Sequence, residues 1–256
     1  MQPLLFRGAT IDISTVDWYG KSATVIFFKG CNFNCLYCSN KDFIDMPGSP
    51  DSRAKNERVV DIEVIEREIR DARPFISAVV FSGGEPTLHL PELKRLASFA
   101  KSQGLLVGIE TNGHYPTRLK DMIVHGILDQ IFLDIKAPLD CENEYERIIG
   151  GITGAPERIW ETLNLKGINI EVRTTVFPSF ASRIPKIAKN IEGYNYPYVI
   201  QQGRPELAPD GDIQKEKSMT RDELATIAES LTFLNDVRIR TREKGEERIN
   251  RYLYRN

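Results

Sequence analysis

The chain has 256 residues, of which 41% are hydrophobic, 27% charged and 9% aromatic. This composition is typical of a globular protein with a sizeable core, and it excludes a disordered chain or a collagen-like repeat. The net charge of −2 argues against a protein whose whole surface binds a polyanion. No apolar run approaches the roughly 18 residues of a membrane span, and the first residues lack the pattern of a secretory signal. The sequence therefore predicts a cytoplasmic protein with no membrane partner.

Short apolar runs alternate along the chain with segments of helical periodicity, which is the pattern of repeated βα units. The runs are rich in Val, Ile and Phe, as expected for parallel strands that are covered on both faces. The six predicted strands are Ala23 to Phe28, Ala78 to Phe81, Leu105 to Ile109, Gln130 to Ile135, Ile170 to Phe177 and Tyr198 to Gln202. Helices are predicted at 61–73, 91–103, 117–125, 156–166, 184–190 and 220–234, and a terminal strand at 237–241.

Three of the four cysteines, Cys31, Cys35 and Cys38, fall within eight residues directly after the first predicted strand, whereas Cys141 stands alone. In a reducing compartment such a cluster is more typical of a metal or redox site than of a disulfide framework. A structural zinc site would need a fourth ligand, from Cys141 or one of the three histidines. Three thiolates can instead hold a four-iron cluster with one iron open to a small molecule. The cysteines by themselves leave both interpretations open.

The spacing Cys31-x3-Cys35-x2-Cys38, with Tyr37 before the last cysteine, resembles the signature of radical S-adenosylmethionine (radical SAM) enzymes. After the second predicted strand, the segment 82–87 reads Ser-Gly-Gly-Glu-Pro-Thr and resembles the GGEP element of that superfamily. The resemblance implies that the three cysteines hold one [4Fe–4S] cluster whose open iron binds S-adenosylmethionine. Reduction would then cleave this cofactor to a 5′-deoxyadenosyl radical. Too few cysteines remain for an auxiliary cluster.

The resemblance also implies an α/β fold, a partial (β/α)6 TIM-like barrel of the radical SAM type. The barrel core is expected over residues 1–218, with 219–256 as a short C-terminal helix and strand extension packed on the same domain. Polar residues gather where the predicted strands end, which is where barrel enzymes place their sites. The implied cofactor-binding residues are Tyr37, Asn40, Ser82, Gly83, Gly84, Glu85, Glu110, Asn112, Asp134, Lys136, Arg173 and Gln201. For the residues at the ends of the third to sixth predicted strands, a hydrogen bond to a neighbouring loop is an equal alternative, and Asp134 and Lys136 can simply be an ion pair. No catalytic residue is assigned.

Within the superfamily, the chain resembles the anaerobic ribonucleoside-triphosphate reductase activating proteins, which are glycyl-radical-enzyme activases. The likeness lies in the segments 15–21, 82–86, 111–113, 134–136, 173–176, 201–205 and 240–247. It implies a protein substrate, the anaerobic ribonucleotide reductase, which would lose a hydrogen atom from a backbone glycine. It also implies a flavodoxin or ferredoxin-like electron donor. Ser39 departs from the pattern, because activases commonly carry His at that position.

Two alternative functions stand beside the activase. The segment 238–256 has seven Lys and Arg against three Glu, and this basic tail favours a radical SAM enzyme that modifies a small molecule, a nucleoside or an RNA base. Nucleic acid is nevertheless the less favoured partner, because a basic tail is more often a solvated face. The non-enzymatic alternative is a zinc-stabilised binding module. Cys141 is interpreted as a surface or structural thiol, with a radical relay as its alternative.

Overall fold

The structure is a computed structural model that describes residues 4–44 and 59–249. The strands of these residues are β1 (Leu4–Ser14), β2 (Ala23–Phe28), β3 (Val59–Asp61), β4 (Ala78–Gly83), β5 (Leu106–Thr111), β6 (Gln130–Asp134), β7 (Asn169–Val176), β8 (Tyr198–Gln202), β9 (Val237–Thr241) and β10 (Gly245–Arg248). The helices are α1 (Ile62–Ala72), α2 (Leu90–Ser102), α3 (Pro116–Val124), α4 (Glu142–Ile149), α5 (Ala155–Leu163), α6 (Ile184–Ile191), α7 (Gly211–Gln214) and α8 (Arg221–Ser230).

The predicted strands and helices are all present, but two helices are shorter than predicted, because α5 ends at Leu163 and α8 at Ser230. β2, β8 and β9 have the predicted bounds, and the other four predicted strands, β4 to β7, agree to within two residues. The last long helix, α8, begins at the predicted capping box, in which Thr220 and Glu223 each bond the backbone of the other. The strands β1, β3 and β10 and the helices α4 and α7 were not predicted from the sequence.

The described residues form two compact units, and the first comprises 4–33, 42–44, 59–132 and 165–169. Its strand order is β3-β1-β2-β4-β5, followed by the start of β6. β2, β4 and β5 are parallel, whereas β1 runs antiparallel to both β2 and β3.

The core of the first unit contains Ala23, Val25, Ala78, Val80 and Phe132, and the half-buried side chains of Trp18, Phe27 and Leu106 pack against it. Trp18 meets Phe132 edge to face at 5.5 Å between ring centroids. A Cβ at Gly108 would lie 2.9 Å from the ring of Phe132 and 3.1 Å from that of Trp18, so glycine makes room for both rings.

The second unit comprises 34–41, 133–164 and 170–249. Its strand order is the end of β6, then β7-β8-β9-β10, with β7, β8 and β9 parallel and β10 antiparallel to β9. The expected division into a core over 1–218 and an extension over 219–256 stays a prediction.

The basic C-terminal segment is built into this second unit as far as residue 249, and residues 250–256 lie outside the described part of the chain. Arg240 lies 2.6 Å from Glu246 and 3.5 Å from Glu171, and the side chains of both carboxylates are less than 10% exposed. Arg238 pairs with Asp236 at 2.7 Å. These arginines are therefore partners in a buried ion network and not a solvated basic face. No helix of the described residues combines the length and apolar character needed to cross a membrane.

Candidate active site

In the first unit, Gly83 at the end of β4 and Gly84 directly after it hold the start of the cysteine loop. Gly84 donates its N–H to the carbonyl of Phe28 at 2.9 Å, and Glu85 donates to that of Gly30 at 2.8 Å. A Cβ at Gly84 would lie 2.0 Å from the Gly30 oxygen, and one at Gly83, where φ is +123°, would lie 2.2 Å from the Phe28 oxygen. Only glycine permits this contact. These glycines thus allow the backbone after β4 to pack closely on the protein's own cysteine-bearing segment.

Glu85, the carboxylate of the GGEP-like element, is fully buried and accepts several hydrogen bonds. Its Oε1 accepts from the Thr111 hydroxyl at 2.9 Å and from both the hydroxyl and the backbone N–H of Thr87, and its Oε2 accepts from the Asn112 backbone N–H at 2.9 Å. Burial raises the pKa of Glu85, and these hydrogen bonds oppose the shift. Glu85 thereby joins the polar ends of β4 and β5.

The side-chain amide of Asn112 lies beside Cys31. Its Nδ2 donates to Asn32 Oδ1 at 2.9 Å and lies 4.0 Å from Cys31 Sγ, and the Phe33 backbone N–H lies 3.4 Å from the same sulfur. Asn112 was predicted as a cofactor contact, and the structure places it with the first cysteine. Asn32 is not among the predicted site residues, although its position directly after Cys31 could have indicated that it lies near the first cysteine.

Two further predicted residues of the first unit are brought together at the ends of β4 and β5. Ser82 donates its hydroxyl hydrogen to Glu110 Oε2 at 2.5 Å. This short bond to a carboxylate fixes both side chains.

In the second unit, Tyr37 anchors the segment that carries Cys35 and Cys38. Its ring lies 5.2 Å from that of Phe177 and its hydroxyl donates to the backbone oxygen of Lys136 at 3.2 Å. Burial raises the pKa of Tyr37 well above its ordinary value. Tyr37 therefore stays a neutral donor that ties this segment to the end of β6.

Lys136 and Asp134 form an ion pair, which is one of the two alternatives that the sequence allows for them. The Lys136 Nζ and the Asp134 Oδ2 lie 2.5 Å apart. Burial alone lowers the pKa of Lys136, but the negative charges of Asp134 and Cys35 outweigh it and hold the pKa well above its ordinary value. Asp134 Oδ1 is buried and has no hydrogen-bond partner among the described residues. Tyr145, which the sequence reading missed, accepts from the Lys136 backbone N–H at 3.2 Å.

The thiol groups of this segment are largely shielded from water. Cys35 is buried, and burial raises the pKa of the Cys38 thiol while a backbone hydrogen bond from Asn40 opposes the shift. The four cysteines all lie within the described residues, and none of them forms a disulfide. Cys141 is exposed at the start of α4.

The structure places the last two predicted residues on neighbouring strands of the second unit. Arg173 on β7 is buried and donates from Nε to Glu171 Oε1 at 2.7 Å, so it belongs to the ion network described above. Gln201 on β8 is half-buried and lies opposite Thr175 of β7 and Arg240 of β9.

These donors fit a thiolate-bound iron–sulfur cluster and a polar cofactor. Three reduced cysteines supply soft ligands, and N–H groups lie against two of their sulfur atoms. A buried carboxylate oxygen of Asp134 and the buried amide nitrogen of Asn32 have no partner among the described residues. Such atoms are costly to leave unsatisfied unless a ligand meets them.

The sequence pattern of the Radical SAM superfamily matches residues 25–180. The chain belongs to this superfamily and is therefore an enzyme whose cofactors are a [4Fe–4S] cluster and S-adenosylmethionine.

A protein of Methanocaldococcus jannaschii, named provisionally as a glycyl-radical enzyme activating enzyme, is 30% identical over 237 residues, which are 90% of this chain and 94% of the relative. A pyruvate formate-lyase-activating enzyme of Clostridium pasteurianum is 28% identical over 179 residues, 66% of this chain and 70% of the relative. Among solved structures, TYW1 with a lysine-pyruvate adduct matches with a TM-score of 0.64 at 18% identity, over 90% of this chain and 80% of that one. The predicted fold class, the α/β partial barrel of radical SAM enzymes, is confirmed.

Proposed function

We propose that this protein is a glycyl-radical-enzyme activase and that its substrate is an anaerobic ribonucleotide reductase. The observation that carries the proposal is the 30% identity to a relative of that provisional name, which extends over 94% of the relative's length. A pyruvate formate-lyase-activating enzyme is also similar over 70% of its length. The likeness of the segments 15–21 and 240–247 to the reductase activators supports the particular substrate.

In this proposal Cys31, Cys35 and Cys38 hold the [4Fe–4S] cluster. When bound, the cluster would supply the electron that breaks a carbon–sulfur bond of the S-adenosylmethionine sulfonium, and the radical so formed would abstract a hydrogen atom from the substrate. Tyr37 orients the second part of the cysteine segment through its bond to the Lys136 carbonyl at 3.2 Å. The remaining predicted contacts around the cofactor, from Asn40 to Gln201, stay part of this proposal.

Lys136 and Asp134 supply the charged end of the proposed cofactor site. The Lys136 ammonium is held protonated by Asp134, because the raised pKa keeps it charged at neutral pH. A buried ammonium can pair with the carboxylate of S-adenosylmethionine, and the open Oδ1 of Asp134 can accept a hydrogen bond from a hydroxyl.

The proposed protein substrate presents a backbone glycine, since removal of its α-hydrogen leaves a radical stabilised between two peptide groups. The electron would come from a flavodoxin or a ferredoxin-like protein.

The first test is cleavage of S-adenosylmethionine by the anaerobically reconstituted full-length chain. Wild type should release 5′-deoxyadenosine under reduction, and Cys35→Ala should abolish the release. Cys141→Ala is the matched control, since this exposed cysteine lies outside the motif, and it should retain turnover. Turnover by Cys35→Ala would refute the ligand assignment, and a loss in Cys141→Ala would revive the relay hypothesis for that thiol.

The second test is a glycyl radical on the partner, detected by electron paramagnetic resonance after incubation with the cognate anaerobic ribonucleotide reductase. A doublet that disappears when the partner's radical-site glycine is replaced by alanine would support the activase. If the partner yields no radical while a nucleoside or an RNA drives formation of 5′-deoxyadenosine, the activase proposal is wrong.

A further inference from the structure

The side-chain amide of Asn112 lies beside the sulfur atom of Cys31 in the first unit and contacts the amide of Asn32, the residue that follows this cysteine. Asn112 Nδ2 lies 4.0 Å from Cys31 Sγ and 2.9 Å from Asn32 Oδ1. The Phe33 backbone N–H adds a second donor at 3.4 Å from the sulfur. We call Asn32 and Asn112 the amide pair.

Surrounding hydrogen bonds fix which end of the Asn112 amide faces the sulfur. Asn112 Oδ1 accepts the backbone N–H of His114 at 3.0 Å, and the Asn112 backbone N–H is held by Glu85 Oε2 at 2.9 Å. With the oxygen committed to His114, the nitrogen must point to Asn32 and Cys31. The donor end of the amide is thus set before any cofactor binds.

Asn32 completes the arrangement with an unused donor. Its oxygen accepts from Asn112, and its Nδ2 is buried without a hydrogen-bond partner among the described residues. A buried N–H group without an acceptor destabilises the folded protein, and a pair that only stabilised the loop would not require one. The amide nitrogen is therefore suited to an acceptor that arrives with the bound cluster.

We propose that the amide pair donates N–H hydrogen bonds to the Cys31 thiolate and to sulfur atoms of the cluster that it holds, and thereby raises the cluster's reduction potential. Hydrogen bonds to cluster sulfur stabilise the more negative, reduced state. Asn32 and Asn112 act here as positioning residues. The inference rests on the proposed ligand role of Cys31 and is independent of the protein substrate.

The test is the midpoint potential of the cluster in the reconstituted full-length chain, without S-adenosylmethionine or partner, followed by electron paramagnetic resonance. Asn112→Ser keeps a short side-chain oxygen for the His114 N–H but removes the amide donor. Asn32→Ala removes the unused donor. Asn34→Ala is the matched control, because Asn34 is an exposed asparagine of the same segment.

Both amide variants should show a more negative midpoint potential, with an unchanged value in Asn34→Ala. Resonance Raman bands of the iron–thiolate stretch should shift on exchange into D2O in wild type, and the shift should shrink in Asn112→Ser. Loaded amide variants with the wild-type potential would overturn the proposal. Failure of both variants to bind iron, with normal loading of Asn34→Ala, would also overturn it, since the amides would then serve assembly. Cys31→Ala tests the ligand role separately, and this variant should fail to hold the cluster.

Discussion

Replacement of Gly84 by alanine should break the attachment of the cysteine loop to β4. The added Cβ would lie 2.0 Å from the Gly30 carbonyl oxygen and 2.9 Å from that of Phe43. Both neighbours are backbone atoms, so neither can swing aside as a flexible side chain would.

The size of the effect follows from the contact and from the hydrogen bonds that it disturbs. Nonbonded atoms normally pack at about 3.5 Å, so the Gly30 backbone must move by more than about 1 Å. That movement strains the bonds from Gly84 to Phe28 at 2.9 Å and from Glu85 to Gly30 at 2.8 Å. Overpacking costs about 1–3 kcal/mol and each bond contributes about 1 kcal/mol, so the free energy of unfolding should fall by about 3–5 kcal/mol.

The assay is urea denaturation of the protein without iron, together with the iron content after anaerobic reconstitution. Gly193→Ala is the control, because a Cβ there would meet no atom within 4 Å. Gly84→Ala should lower both the unfolding free energy and the bound iron, while Gly193→Ala changes neither. If Gly84→Ala matched the control in both measurements, the inference that this glycine seats the cysteine loop would be refuted.

Two further predictions concern buried charges. The pKa of Glu85 is raised by burial, so the folded state binds the proton more tightly and the free energy of unfolding should fall as the pH rises from about 4 toward the raised pKa. Glu85→Gln should flatten that slope in urea denaturation at several pH values, and an unchanged slope would contradict the reasoning. Arg240→Met leaves Glu171 and Glu246 buried without this cation and should cost about 3–5 kcal/mol of unfolding free energy. Lys215→Met is the control: it breaks an exposed ion pair with Asp212 and should leave the free energy of unfolding unchanged. Equal effects of the two variants would contradict the reasoning.

Chemistry that is local in sequence was predictable. The motif of Cys31, Cys35 and Cys38 needs only one short segment, and its spacing indicated the superfamily that the comparisons confirm. The capping box of Thr220 and Glu223 was equally legible, because its two hydrogen bonds close within three residues.

Elements that depend on a partner strand were missed. β10 reads Gly-Glu-Glu-Arg, a sequence of low strand propensity. It is a strand because Glu246 lies opposite Arg240 of β9 and pairs with it. The short β3 likewise pairs with β1, a contact that spans more than 50 residues of sequence.

The sequence by itself determined the βα periodicity, the thiol ligands and the superfamily, because these follow from local residue order. Only the tertiary structure decided that Asn112 faces Cys31, that Gly84 packs on the Gly30 backbone and that Arg240 is an interior partner of Glu171. Each of these contacts joins residues far apart in the chain. Strand register and burial, which composition and spacing do not encode, determine which polar groups meet.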